Sequence, residues 1–185
     1  MKSIDLTNVK EAGDFTRPAA GPYICGIVKV EDFEDKEYLK VTYDIIDGEF
    51  KGYYKEMREN NPDWLWAGAY VKSYKEAAKP MFKRFCTAVS RSNGKYVFDG
   101  GQVNHDEKTL KGKKIGLLLG EEEYEGNDGT IKTRLYVVRE FSIDKIGEQK
   151  VPELKKLKVE TPAAPATDDK GFMNIPEGAE EEIAW

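Results

Sequence analysis

The sequence predicts a mainly β chain: a five-stranded antiparallel barrel with one helix between its third and fourth strands, and an acidic tail. Three observations carry this. Period-two alternation of apolar and polar residues recurs in short runs bounded by turn residues. Once, near Phe82, the period changes to the 3, 4, 7 spacing of an amphipathic helix. Beyond Glu160 the composition shifts to Pro, Ala and Thr (ETPAAPAT), which suits neither helix nor strand interior, and then to acid.

The elements follow in order. Residues 22–30 read as a strand, with Ile24, Gly26, Val28 and Val30 on one face and Tyr23, Cys25, Ile27 and Lys29 on the other. A polar turn covers residues 31–36. Residues 37–46 alternate cleanly, Leu39, Val41, Tyr43 and Ile45 against Tyr38, Lys40, Thr42 and Asp44. Asp47-Gly48 is a hairpin signal leading to a third strand at residues 50–57. Ser73-x-x-Glu76 has the form of a capping box. Phe82, Phe85, Cys86 and Val89 mark the buried stripe of the helix, with Pro80 at a kink or first turn and Asn93-Gly94 at the stop. Residues 113–124 and 131–141 form the last two strands around the Gly-rich loop 125–130. In the fifth strand Ile131, Leu135 and Val137 are expected to face the core. Three strands, a helix and two strands is the order of the Greek-key barrel called the OB-fold, which binds oligonucleotides on an open face. Residues 1–150 are read as this domain and 151–185 as linker and tail.

Apolar residues are 39% and charged residues 34% of the 185 positions, enough for a real core with a well-solvated surface. No apolar run nears membrane-span length, and the first residues lack a signal-peptide core, so a cytoplasmic protein is expected. Two cysteines, Cys25 and Cys86, are read as buried thiols. The single histidine, His105, sits in a polar loop without metal-ligand spacing. There is no P-loop, nucleophile elbow or dinucleotide turn. Glu121, Glu122, Glu123 and Glu125 resemble a metal site by composition alone and are read as strand cap and hairpin lining. No catalytic residue, metal or cofactor is therefore assigned, and a binding protein is expected.

Bases interleave with aromatics on the predicted outward faces: Tyr38 and Lys40; Lys51, Tyr53 and Lys55; Trp64, Trp66 and Lys72; and Lys132, Arg134 and Tyr136. Lys and Arg track phosphates while flat rings stack on unpaired bases, so such a surface suits single strands. Plainer readings stand beside this one. One of Tyr53 and Tyr54 faces the core, Trp64 and Trp66 also suit a cover for one barrel end, and strand lysines also protect edges.

Residues 168–185 hold six acids against one base, a balance of −5 that equals the net charge of the whole chain. They end in Glu180, Glu181, Glu182, Ile183, Ala184 and Trp185. An acidic segment with an apolar tip on a flexible tether reads as a hook for partners and an electrostatic mimic of a nucleic-acid strand.

The blocks IDLTNVKEAGDFTRPAAGPYICGI (residues 4–27), YLKVTYDIIDGEFKGYY (38–54, with Gly48, Phe50 and Gly52) and LKGKKIGLLL (110–119) resemble a family of phage-encoded single-stranded DNA-binding proteins. The resemblance spans roughly residues 4–141. It implies an OB-fold that protects single strands during phage replication or recombination in the bacterial cytoplasm, with replication or recombination proteins as partners of the tail. Such proteins generally carry an acidic tail with a terminal aromatic; here Glu replaces the usual Asp and Ala184-Trp185 the usual Pro-Phe. A homo-oligomer is left open. Three other functions compete. One is a carbohydrate- or protein-binding barrel using Trp64, Trp66 and Tyr70. Another is a metal enzyme using the Glu121–Glu125 acids, and the third is a DNA-mimicking interaction module.

Overall fold

Leu39, Val41, Tyr43 and Ile45 alternate with polar neighbours, and that alternation sets the inner face of the sheet. The computed structural model describes residues 17–157 together with Ser3, Asp5 and Thr7. Five strands, β1 (Gly21–Phe33), β2 (Tyr38–Ile45), β3 (Ala69–Ser73), β4 (Lys114–Glu125) and β5 (Ile131–Phe141), form one sheet in the order β3-β2-β1-β4-β5. Every neighbouring pair is antiparallel. Helix α1 (Tyr53–Asn60) lies between β2 and β3, and α2 (Lys79–Ser92) lies between β3 and β4. This order is compatible with an OB-like fold. Cys25 and Ile27 of β1, Ile115, Leu117 and Leu119 of β4, and Phe85, Cys86, Ala88 and Val89 of α2 join the core with Tyr54, Phe98 and Leu110.

The third strand is not where the alternation of residues 50–57 put it. Those residues enter a turn and then α1. The cause is tertiary. Asp44, on the outward face of β2, accepts hydrogen bonds from the Tyr54 and Lys55 amides at 3.0 and 3.3 Å. Those amides are among the orphan donors of a helix N-terminus, so a distant carboxylate does the work of a cap. Tyr54 is buried and meets Tyr43 edge-on at 5.3 Å. The third strand is instead the short run Ala69–Ser73, paired to β2 from Tyr38↔Ser73 to Thr42↔Ala69.

Other expectations are corrected by local geometry. A bulge between Ile27 and Lys29 shifts the phase of β1, so Val30 packs on the core while Val28 is exposed. Ile131 is 61% exposed because it pairs with Glu125 at the hairpin end, beyond the core. The capping box does not form: Ser73 Oγ donates to the Glu37 carbonyl and accepts from the Lys75 amide. Pro80 takes the first turn of α2. At the other end Asn93 ties the helix to β4, its amide donating to the Val89 and Lys114 carbonyls and its oxygen accepting from the Lys114 amide.

The two edge strands, β3 and β5, are joined by side chains. Lys72 Nζ lies 2.8 Å from Glu140 Oε1, with side-chain exposures of 9% and 2%. Arg84 of α2 reaches the same carboxylate at 3.6 Å. The Tyr70 hydroxyl is buried beside it, and burial together with the Glu140 charge raises its pKa well above that of a free phenol.

β1 pairs with β4 only as far as Gly21↔Leu119, leaving the outer part of β4 with a free edge. Residues near Lys155, in the segment read as linker, cover it. The Lys155 amide donates to the Glu121 carbonyl and the Glu123 amide to the Lys155 carbonyl, both at 2.9 Å. An unpaired edge left open would invite pairing with another chain. Among the described residues no helix is long and apolar enough to cross a membrane.

Candidate nucleic-acid interface

Strand register decides which predicted residues share a surface. On the outward face of β1, β2 and β3 the rows are Phe33–Tyr38–Ser73, then Glu31–Lys40–Val71, then Lys29–Thr42–Ala69. Phe33 and Tyr38 stack at 4.9 Å between ring centroids and 23° between planes. Phe33 is 37% and Val71 58% exposed. Lys40 is exposed between them. Lys29 is engaged by Glu31 at 2.7 Å. This end of the sheet offers a ring pair, an apolar step and, in Lys40, an exposed ammonium without an ion pair among the described residues, though its field reaches Glu31.

The β4–β5 hairpin presents a second surface. Its outward pairs are Tyr124↔Lys132, Glu122↔Arg134 and Gly120↔Tyr136. A Cβ at Gly120 would come within 2.8 Å of a Val138 methyl and 3.0 Å of the Tyr136 ring, so the glycine lets both side chains lie close over the strand. Arg134 donates from Nε and Nη2 to one oxygen of Glu122, both at 2.8 Å, and its guanidinium lies 5.3 Å from the Tyr124 ring centroid. Lys155 Nζ reaches the other oxygen at 2.8 Å and sits 5.4 Å from the Tyr136 centroid. The hydrogen bond from Lys155, then that from Arg134, holds the Glu122 carboxyl below its ordinary range. Two cations on one carboxylate leave a net positive cluster flanked by two tyrosines. At the hairpin tip Lys132 is neutralised by Asp128 at 2.9 Å, which lowers the Asp128 carboxyl to about 2.

A third group rims α1. Lys51 is exposed, and Lys55 lies 3.8 Å from Glu59. Tyr53 is half-buried against Phe50 and Tyr54. Trp66 packs on the core and donates its indole N–H to the Tyr43 carbonyl at 2.8 Å. Trp64 is 56% exposed, its carbonyl held by Arg58. The two predicted tryptophans therefore divide, one as a cover of the core and one as an open ring.

Lys72 leaves the exposed set, because its ammonium is enclosed with Glu140. Between the sheet-face groups, Phe141 covers Gly116, and the segment Ile143–Glu148 contacts β1 and β4. The tail residues Glu180, Glu181, Glu182, Ile183 and Trp185 lie outside the described residues. Phe33, Tyr124 and Lys155 were missed from the sequence. Tyr124 was legible, since it continues the parity of Gly120 and Glu122 opposite Lys132. Phe33 lies in the polar run 31–36 that the sequence marks as a turn, and Lys155 is brought in by a contact 33 residues distant.

The acid run of β4 disperses. Glu121 binds Arg17 at 2.9 Å, Glu122 faces the opposite way, and Glu123 accepts the Leu157 amide at 3.0 Å. Among the described residues no group of three or more His, Cys, Asp or Glu side chains converges as a metal set. His105 is on the wall of a cleft of about 1020 Å³ formed with Phe82, Phe98 and Tyr74. No protein-family model and no curated protein matches the chain.

Proposed function

We propose that this chain is a non-catalytic single-stranded DNA-binding protein with an OB-like barrel, coating and protecting single strands in phage DNA replication or recombination. The observation that carries the reading is the pairing of rings with cations on the outward side of one antiparallel sheet. Phe33, Tyr38 and Lys40 stand at one end, and Tyr124, Arg134, Tyr136 and Lys155 at the other. In a barrel, the Lys72–Glu140 bridge would replace the missing ladder between β3 and β5. Each stacked base contributes about 1–3 kcal/mol without regard to its identity, while the cations track phosphates. Ring stacking and phosphate contacts are indifferent to base identity, so low sequence preference is expected. The protein would act in the cytoplasm of the infected bacterium, and the tail at residues 180–185 would recruit replication or recombination proteins.

Fluorescence anisotropy with oligo-dT and with a duplex of equal length tests this. The single strand should bind more tightly, with log K falling by about 0.7 per neutralised phosphate as log salt rises. Equal affinity for both forms across salt would refute the reading. The carbohydrate- or protein-binding alternative rests on Trp64, Trp66 and Tyr70. Of these only Trp64 has an open ring; Trp66 packs on the core and the Tyr70 hydroxyl is buried.

A further inference from the structure

Helix α2 carries Lys79, Lys83, Arg84 and Arg91 and not one acid. Its apolar residues Phe85, Cys86, Ala88 and Val89 are spent on the core, so every charge is driven to the open side. Lys83, Thr87 and Arg91 follow at i, i+4 and i+8 and are all exposed, a single line along the helix. Beside this line runs an open cleft of about 480 Å³, walled opposite by Arg139 of β5 and Lys145 of the segment Ile143–Glu148.

The charge in the cleft is unbalanced. Its two acids are already engaged, Glu140 by Lys72 and Arg84 and Glu148 by Lys145 at 3.7 Å. Among the described residues Arg139 donates only to the neutral Gln149. Among the described residues Lys83 and Arg91 stand within ion-pair distance of no carboxylate, though the field of Arg91 reaches Asp144. A protein partner would need an apolar or aromatic anchor. The cleft's one aromatic, Phe141, and its Ala88 are buried, which leaves Pro80 as its exposed apolar residue beside Thr87 and the cations.

The geometry points to a phosphate track: the α2 cleft binds the sugar–phosphate backbone of a single strand that continues beyond the sheet face. This rests on the single-strand reading above. Lys83 and Arg91 are about 12 Å apart along the axis, the span of three to four phosphates on a stacked strand at about 3.4 Å each. Without rings, the track adds affinity by charge alone, and only for strands long enough to reach it.

The test uses the full chain and its Lys83→Ala/Arg91→Ala variant, whose exposed helical positions accept alanine. Anisotropy is measured across salt with oligo-dT of about 8 nucleotides, within the range one OB-fold occupies, and of roughly 30, about twice its upper end. The variant should bind the short strand like the wild type. It should bind the long one about tenfold more weakly at low salt, with a salt slope smaller by about 1.4, two phosphates' worth. Lys83→Arg/Arg91→Lys should restore long-strand binding. Unchanged affinity and slope on the long strand would overturn the track. So would an equal loss on both lengths, which would make the cleft the primary site. Binding of a poly-Glu peptide that the variant abolishes, with long-strand binding intact, would also overturn it in favour of an acidic protein partner. A wild type that binds neither strand would refute the single-strand reading itself, and the track with it.

Discussion

Lys72→Met should damage stability and leave the salt dependence of single-strand binding unchanged. Both groups of the Lys72–Glu140 pair are enclosed, at 9% and 2% side-chain exposure and 2.8 Å separation. Removing one partner of such a pair leaves an uncompensated buried charge and costs about 3–5 kcal/mol. Arg84 remains 3.6 Å from Glu140, but its side chain is 45% exposed and screened by water. We therefore expect the lower end, about 3 kcal/mol. For a chain of this size that corresponds to roughly 6–12 °C in Tm, at about 2–4 °C per kcal/mol. Urea unfolding should show a lower midpoint with an unchanged slope. Lys72→Met/Glu140→Leu should recover most of the loss, because a well-packed apolar pair avoids the desolvation of both ions. A loss under about 1 kcal/mol, together with a shallower salt slope for oligo-dT, would refute the argument and return Lys72 to the binding surface.

Three further predictions follow from the β4–β5 hairpin and the tail. Tyr136→Ala should weaken oligo-dT binding by about 1–3 kcal/mol at unaltered Tm, whereas Arg134→Ala should chiefly lower the salt slope; identical binding by both variants would remove the hairpin face from the site. Because Lys155 and Arg134 depress the Glu122 carboxyl, its contribution to docking residues 151–157 is complete above the ordinary value of 4.5 and is lost as pH falls through the lowered value. The Lys155 amide resonance in an NMR titration should report that release, and a shift centred at or above 4.5 would contradict the sign. Truncation after Thr167 removes the six acids of residues 168–185 and should tighten single-strand binding, most at low salt, by ending competition for Lys and Arg. Unchanged binding, with the same replication proteins still recovered by pull-down, would reduce the tail to a solubilising extension.

What the sequence determined by itself is what depends on neighbours in the chain. The alternation of β2 names Leu39, Val41, Tyr43 and Ile45 as core, and the helical spacing of Phe85, Cys86 and Val89 names the buried face of α2. The β5 boundaries were also legible, because a turn-rich loop and period-two pattern are local signals. The tertiary structure alone decided the rest. Residues 53–60 become helix because Asp44 caps them from another element. Two lysines of equal local appearance part company: Lys40 stays in water and Lys72 turns inward, because only Lys72 meets a buried carboxylate 68 residues away. Lys155 joins the hairpin face because β1 begins only at Gly21, opposite Leu119, and leaves an edge of β4 to be paired. The basic cleft needs α2, β5 and the segment Ile143–Glu148 in one place. Periodicity records which way a side chain points from its own backbone, while charge pairing and edge completion are settled between segments that only folding brings together.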